Sequence, residues 1–98
     1  MIIVRTTFQL KFGAAKEAKT LIGSVVNINK KYGLKHVRAM MDLTGESYTL
    51  EMETGHESLG NFEEDLKAIL SDPEMGELYS KFVPLVNNSR REIFTIVG

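Results

Sequence analysis

Residues 47–54, SYTLEMET, alternate without a break: Tyr48, Leu50 and Met52 are apolar or amphipathic, and Thr49, Glu51 and Glu53 are polar. A strand points successive side chains to opposite sheet faces, so one face of this segment lies in a core and the other looks elsewhere. The same period governs residues 3–12. Val4, Thr6, Phe8, Leu10 and Phe12 form a core side, and Ile3, Arg5, Thr7, Gln9 and Lys11 the opposite one. Between the two the period changes. Ala18, Leu21, Ile22, Val25, Ile28 and Tyr32 recur at steps of three and four, which predicts an amphipathic helix over 14–32. Gly33 follows where a left-handed residue would end it.

The rest of the chain repeats the scheme. A second strand is expected over 35–43, with Val37, Ala39, Met41 and Leu43 inward and His36, Arg38, Met40 and Asp42 outward. LTGE then turns into the strand at 47–54, Gly45 supplying a positive φ. Ser58 is placed to cap a helix to about Leu70, whose Leu59, Phe62, Leu66, Ile69 and Leu70 share a face. SDPE interrupts it, with Asp72 as cap and Pro73 in the first turn of a new segment. Met75, Leu78, Tyr79, Phe82 and Val83 form its stripe. Pro84 closes that segment, NNS is expected to turn, and REIFTIV is the fourth strand. The order β-α-β-β-α-β predicts the ferredoxin-like α+β fold: a four-stranded antiparallel sheet, first and third strands central, with the helices on one face.

With 98 residues the chain has room for one domain, 1–98. A net charge of −1, from 12 basic and 13 acidic residues, sets up no field that favours nucleic acid or an anionic membrane. An RNA-binding version of this fold would place stacking aromatics on the open face of its central strands, where Arg5, Thr7, Gln9, Thr49, Glu51 and Glu53 stand instead. The absence of cysteine excludes disulfides and thiolate metal sites. No apolar run approaches the ~18 residues needed to span a bilayer. The N-terminal segment alternates as a strand and lacks the pattern of a signal peptide, so the cytoplasm is the expected location.

Helices on one side leave the other face of the sheet to be accounted for. Its centre reads as polar and its flanks as apolar, with Ile3, Met40, Ile93 and Val97 among them. A patch of that kind on a small domain is commonly covered, most simply by a second copy of the chain. The residues expected at such an interface are Arg5, Thr7, Arg38, Met40, Thr49, Glu51, Glu53, Ile93 and Thr95.

The block DPEMGELYSKFVPLVNNSRREIFTIV, residues 72–97, carries the step F-x-P-L-V at 82–86 and the run R-R-E-I-F at 90–94. In this block and in its element order the chain resembles the dimeric α/β-barrel superfamily, and within it NIPSNAP-like proteins. Met75 departs from the pattern, an aromatic being more usual after D-P-E. The resemblance implies a homodimer of sheet-to-sheet barrels with a cleft in each subunit between sheet and helices. It also implies either a protein that holds a small apolar or aromatic molecule or a cofactor-independent monooxygenase or isomerase. A pure oligomerisation scaffold, with no cavity, is the third possibility.

Expected walls of such a cleft are Phe8, Tyr48, Met52, Tyr79 and Phe82. His36 and His56 are the two histidines and the two candidate bases. A lone histidine is more often a surface or interface residue, and no H-x-x-x-H, H-E-x-x-H or His-carboxylate run points to a metal. No cofactor is expected. Glu51 and Glu53, two apart on one strand face, are read as ion-pair partners of Arg5 and Arg38 in preference to an acid–base pair.

Overall fold

The computed structural model describes all residues from Met1 to Gly98. Strand β1 is Ile2–Leu10, helix α1 Ala15–Lys31, β2 Val37–Met41, β3 Thr49–His56, α2 Leu59–Leu70, α3 Pro73–Phe82 and β4 Val86–Thr95. The four strands form one antiparallel sheet in the order β2-β3-β1-β4. This is the ferredoxin-like arrangement predicted from element order, with β1 and β3 central.

The helix ends follow from local chemistry. Ser58 accepts a hydrogen bond from the Asn61 amide at 3.1 Å and caps α2. Asp72 accepts from the Glu74 amide at 2.9 Å and caps α3, with Pro73 in its first turn. Gly33 ends the turn after α1 at φ +89°, a conformation that a side chain disfavours. Tyr32, expected on the apolar stripe, lies past the end of α1, and its hydroxyl donates to Asp72 Oδ2 at 2.8 Å. Lys31 Nζ reaches the same oxygen at 3.5 Å. Tyr32 first, then the Glu74 amide and Lys31, hold the Asp72 carboxyl below its ordinary range. One carboxylate thereby ties the end of α1 to the start of α3.

Ala18, Leu21, Ile22 and Val25 of α1 pack onto Leu10 of β1 and Leu50 of β3, with Phe82 closing the cluster from α3. Leu10 and Leu50 are buried completely, each contributing about 1.5–3 kcal/mol of apolar burial. A second cluster of Ile28, Leu34 and Ile69 joins α1 to α2.

Four expectations are corrected. Phe12 is 92% exposed and Leu43 99%, because β1 and β2 end at Leu10 and Met41 and the alternation beyond them belongs to turns. Tyr48 is not yet strand: its φ is +61°, and its ring packs on Phe12 with centroids 5.2 Å apart. Asn87, Asn88 and Ser89 do not turn. They belong to β4, which pairs with β1 along its whole length and absorbs one residue where the register shifts between Gln9 and Leu10. The fourth correction concerns the faces of β4. Val4 pairs with Ile93 and Ile2 with Thr95, which places Ile93 and Thr95 on the helix side. Arg90, Glu92 and Phe94 occupy the open face in their stead. Ile93 and Phe94 are both apolar and adjacent, so the strand's own alternation does not choose between faces; pairing with β1 does.

Candidate functional site

The helix-free face is organised by Glu53. Its carboxylate is 3% exposed although no helix covers it. Arg5 Nε and Nη2 donate to Oε2 at 3.1 and 2.9 Å, and Arg38 Nε donates to Oε1 at 2.8 Å. Those bonds follow from register, since Glu53 lies opposite Arg5 on one side and Arg38 on the other. The Arg38 hydrogen bond leads in holding Glu53 below the ordinary carboxylate range, and Arg5 adds to it against the cost of burial. Arg5 also meets Glu51 at 3.2 Å and lies over the Phe94 ring, 5.1 Å from its centroid. His36 Nε2 stands 3.5 Å from Glu53 Oε1 and is buried without a hydrogen bond. It borders the Arg5–Glu53–Arg38 ion-pair network. The structural role expected for Glu53 with Arg5 and Arg38 is the one observed.

The other face holds a cavity. It lies between the sheet and the helices, is open to solvent on one side and has a volume of about 440 Å³, within the range of small-molecule sites. Fifteen of the 22 residues around it are hydrophobic. Phe8, Met52, Tyr79 and Phe82 line it, whereas Tyr48 does not, because its left-handed backbone turns it towards Phe12. Phe8 and Phe82 meet edge to face at 4.9 Å and form one wall. Exposed Leu70, Tyr79 and Val83 form the rim.

His56 is the last residue of β3 and lines this cavity. Its ring is buried and both nitrogens are engaged: Nδ1 lies 2.7 Å from Asp65 Oδ2 of α2, and Nε2 lies 2.8 Å from Thr54 Oγ1. A carboxylate only accepts, so Nδ1 donates to Asp65; Nε2 accepts from the Thr54 hydroxyl when the ring is neutral and donates to it when the ring is protonated. Thr54 also lines the cavity, so the chain from Asp65 through His56 to Thr54 brings two polar side chains to a wall that is mostly apolar. The two histidines therefore lie on opposite faces of the sheet. Asp65 escaped the sequence reading, although an acidic residue beside the apolar stripe of Phe62, Leu66 and Ile69 was its signal. Arg91 carries no such signal, because only pairing with β1 decides which face of β4 it takes.

No group of three or more His, Asp or Glu side chains is arranged to hold a metal ion. No helix is long and apolar enough to cross a membrane.

The fold is shared with solved structures over nearly the whole chain. A NIPSNAP family protein of Agrobacterium tumefaciens superposes with a TM-score of 0.89 at 15% identity, covering 98% of this chain and 85% of its own. An uncharacterized NIPSNAP domain protein of Burkholderia xenovorans gives 0.84 at 12% identity, with 99% and 95% covered. An antibiotic biosynthesis monooxygenase gives 0.80 at 11% identity, with both chains covered completely. The chain has the fold of these proteins. No family model and no curated protein matches the sequence itself.

Proposed function

We propose that this is a NIPSNAP-like protein of the cytoplasm that binds a small apolar or aromatic molecule in the cavity between sheet and helices. We propose further that it acts as a homodimer joined through the helix-free faces. The cavity carries the first part of the reading: about 440 Å³ are left open where side chains of a core would otherwise meet. Its walls supply aromatic and aliphatic contacts, with a few polar groups such as Thr54, His56 and Arg91 among them. For the dimer, the support is the open face, where Ile3, Met40 and Phe94 flank the Arg5–Glu53–Arg38 centre.

The neutral fluorophore N-phenyl-1-naphthylamine tests the cavity. Its emission is expected to rise and saturate at one molecule per chain. Leu66→Trp, which places an indole in the cavity, is expected to abolish that rise while circular dichroism stays native. Absence of any rise with the native chain would refute the reading.

A second reading is favoured by the Asp65–His56–Thr54 chain, which has the form of a proton relay ending on a cavity hydroxyl. It is that of a cofactor-independent monooxygenase or isomerase, the former also a name carried by a protein of the same fold. Incubation with anthrone under air tests the monooxygenase form, in which anthrone and dioxygen give anthraquinone and water. Formation above the uncatalysed rate, lost in His56→Gln, would support it. A rate unchanged by that substitution would exclude His56 as the base.

A further inference from the structure

We infer that the cavity selects an organic anion, an apolar ring or chain bearing one acidic group, and that Arg91 holds that group at the cavity mouth. The inference rests on the cavity-binding reading and names the class of ligand it would take.

Charge is distributed unevenly around the cavity. No aspartate, glutamate or lysine lines it, and Arg91 is the one arginine that does. Of the four arginines in the chain, Arg5 pairs with Glu51 and Glu53, Arg38 with Glu53 and Arg90 with Glu92. Arg91 alone forms no salt bridge. An arginine left without a carboxylate beside an apolar cavity keeps its N–H donors free for an acidic group that enters there.

Register and one aromatic contact place this exposed side chain at the cavity. Arg91 lies opposite Thr6 in the β1–β4 register, and Thr6 faces the cavity, so the arginine stands on the cavity side of the sheet. Its guanidinium is stacked on Phe62 at 5.5 Å from the ring centroid, a cation–π contact that orients it. The Phe62 ring in turn touches the His56 ring at 5.0 Å. Arg91 and the His56–Thr54 pair thus border one aromatic platform, which gathers a cation and two hydrogen-bonding side chains at one place on the wall. Ser89, two residues earlier on the same face, adds a hydroxyl to the cavity lining. An acidic group bound there meets a cation with an aromatic surface beneath it, while the rest of the molecule lies among Phe8, Leu66, Leu78 and Phe82. A neutral ligand of the same shape leaves the guanidinium to water and gains only the apolar contacts.

Two fluorophores that differ by one sulfonate make the test: 8-anilinonaphthalene-1-sulfonate and the neutral N-phenyl-1-naphthylamine. The anion is expected to bind roughly tenfold more tightly or better, the effect of a charge-assisted hydrogen bond. In Arg91→Met that preference is expected to vanish while affinity for the neutral probe is kept, and Arg91→Lys is expected to retain part of it. Added potassium chloride should weaken the anion alone in the native chain, a readout that needs no variant. Equal affinities in the native chain would overturn the inference and leave the cavity reading intact. So would a preference that survives Arg91→Met. If neither probe binds, the cavity reading fails and the inference falls with it.

Discussion

The Nδ1 of His56 lies 2.7 Å from Oδ2 of Asp65, a hydrogen bond that joins the end of β3 to the middle of α2. Few other polar bonds connect α2 to the sheet, and the ring that makes this one is buried. Asp65→Ala would leave a buried donor without a partner, a loss of about 1–3 kcal/mol. Asp65→Asn keeps an acceptor in place and is expected to cost less. Urea denaturation of the two variants checks the order. Equal losses would show that the charge of Asp65, and not its acceptor, secures α2.

Glu53 makes stability depend on acid. Its carboxyl is held below its ordinary value near 4.5, first by Arg38 and then by Arg5. On acidification the unfolded chain takes up this proton before the folded chain does. The contribution of Glu53 is therefore complete above the ordinary value and is lost as pH falls from there through the lower folded value. Glu53→Gln is expected to cost about 1–2 kcal/mol at pH 7, discounted because both arginines still reach water. Its melting temperature should fall less steeply than that of the native chain on acidification below the ordinary value. Parallel acid limbs would assign the dependence to other carboxylates.

Gly55 marks a close approach. A Cβ there would lie 2.5 Å from Met1 Cε and 2.9 Å from His36 Cβ. The methionine end is free to swing away, but His36 is anchored by the hydrogen bond from the Gly55 amide to its carbonyl at 2.9 Å. Gly55→Ala is expected to destabilise by about 1–3 kcal/mol through overpacking. Gly60→Ala, in α2 with only the Ser58 hydroxyl at 3.9 Å, is expected to be neutral or stabilising. Thermal melts of the pair separate crowding from a general effect of replacing glycine.

These residues also show how far the sequence could be read. The switch between periods of two and three-to-four marks every element, because burial on one face is what makes each stable, and the caps Ser58 and Asp72 mark their starts. Glu53 between Arg5 and Arg38 was legible too, since charges two apart on a strand share a face and seek partners across it. The face of β4 was not legible. Ile93 and Phe94 are equally apolar, and only pairing with β1 decides between them. The cavity was expected only as an alternative to a filled core, because its volume depends on how far α2 and α3 stand off the sheet. Asp65 meets His56 through the rotation of α2, and Arg91 meets Phe62 through the register of β4. Neither relation is local in sequence.

Phe94 tests the proposed dimer. It lies on the helix-free face opposite Ile3, 43% exposed, with the Arg5 guanidinium over its ring. In a sheet-to-sheet dimer that ring would be buried against the second copy, and the Arg5–Glu53–Arg38 network would be closed off from water. Light scattering at micromolar concentration is expected to report two chains of 11.0 kDa each. The melting temperature should rise with protein concentration, since association stabilises only the folded chain. Phe94→Glu places a carboxylate in the buried patch and is expected to yield single chains with a melting temperature independent of concentration. Ile93→Glu lies on the other side of the sheet and should leave the dimer in place. A native chain that scatters as a single copy would refute the dimer, and dissociation by Ile93→Glu instead of Phe94→Glu would move the interface to the opposite face.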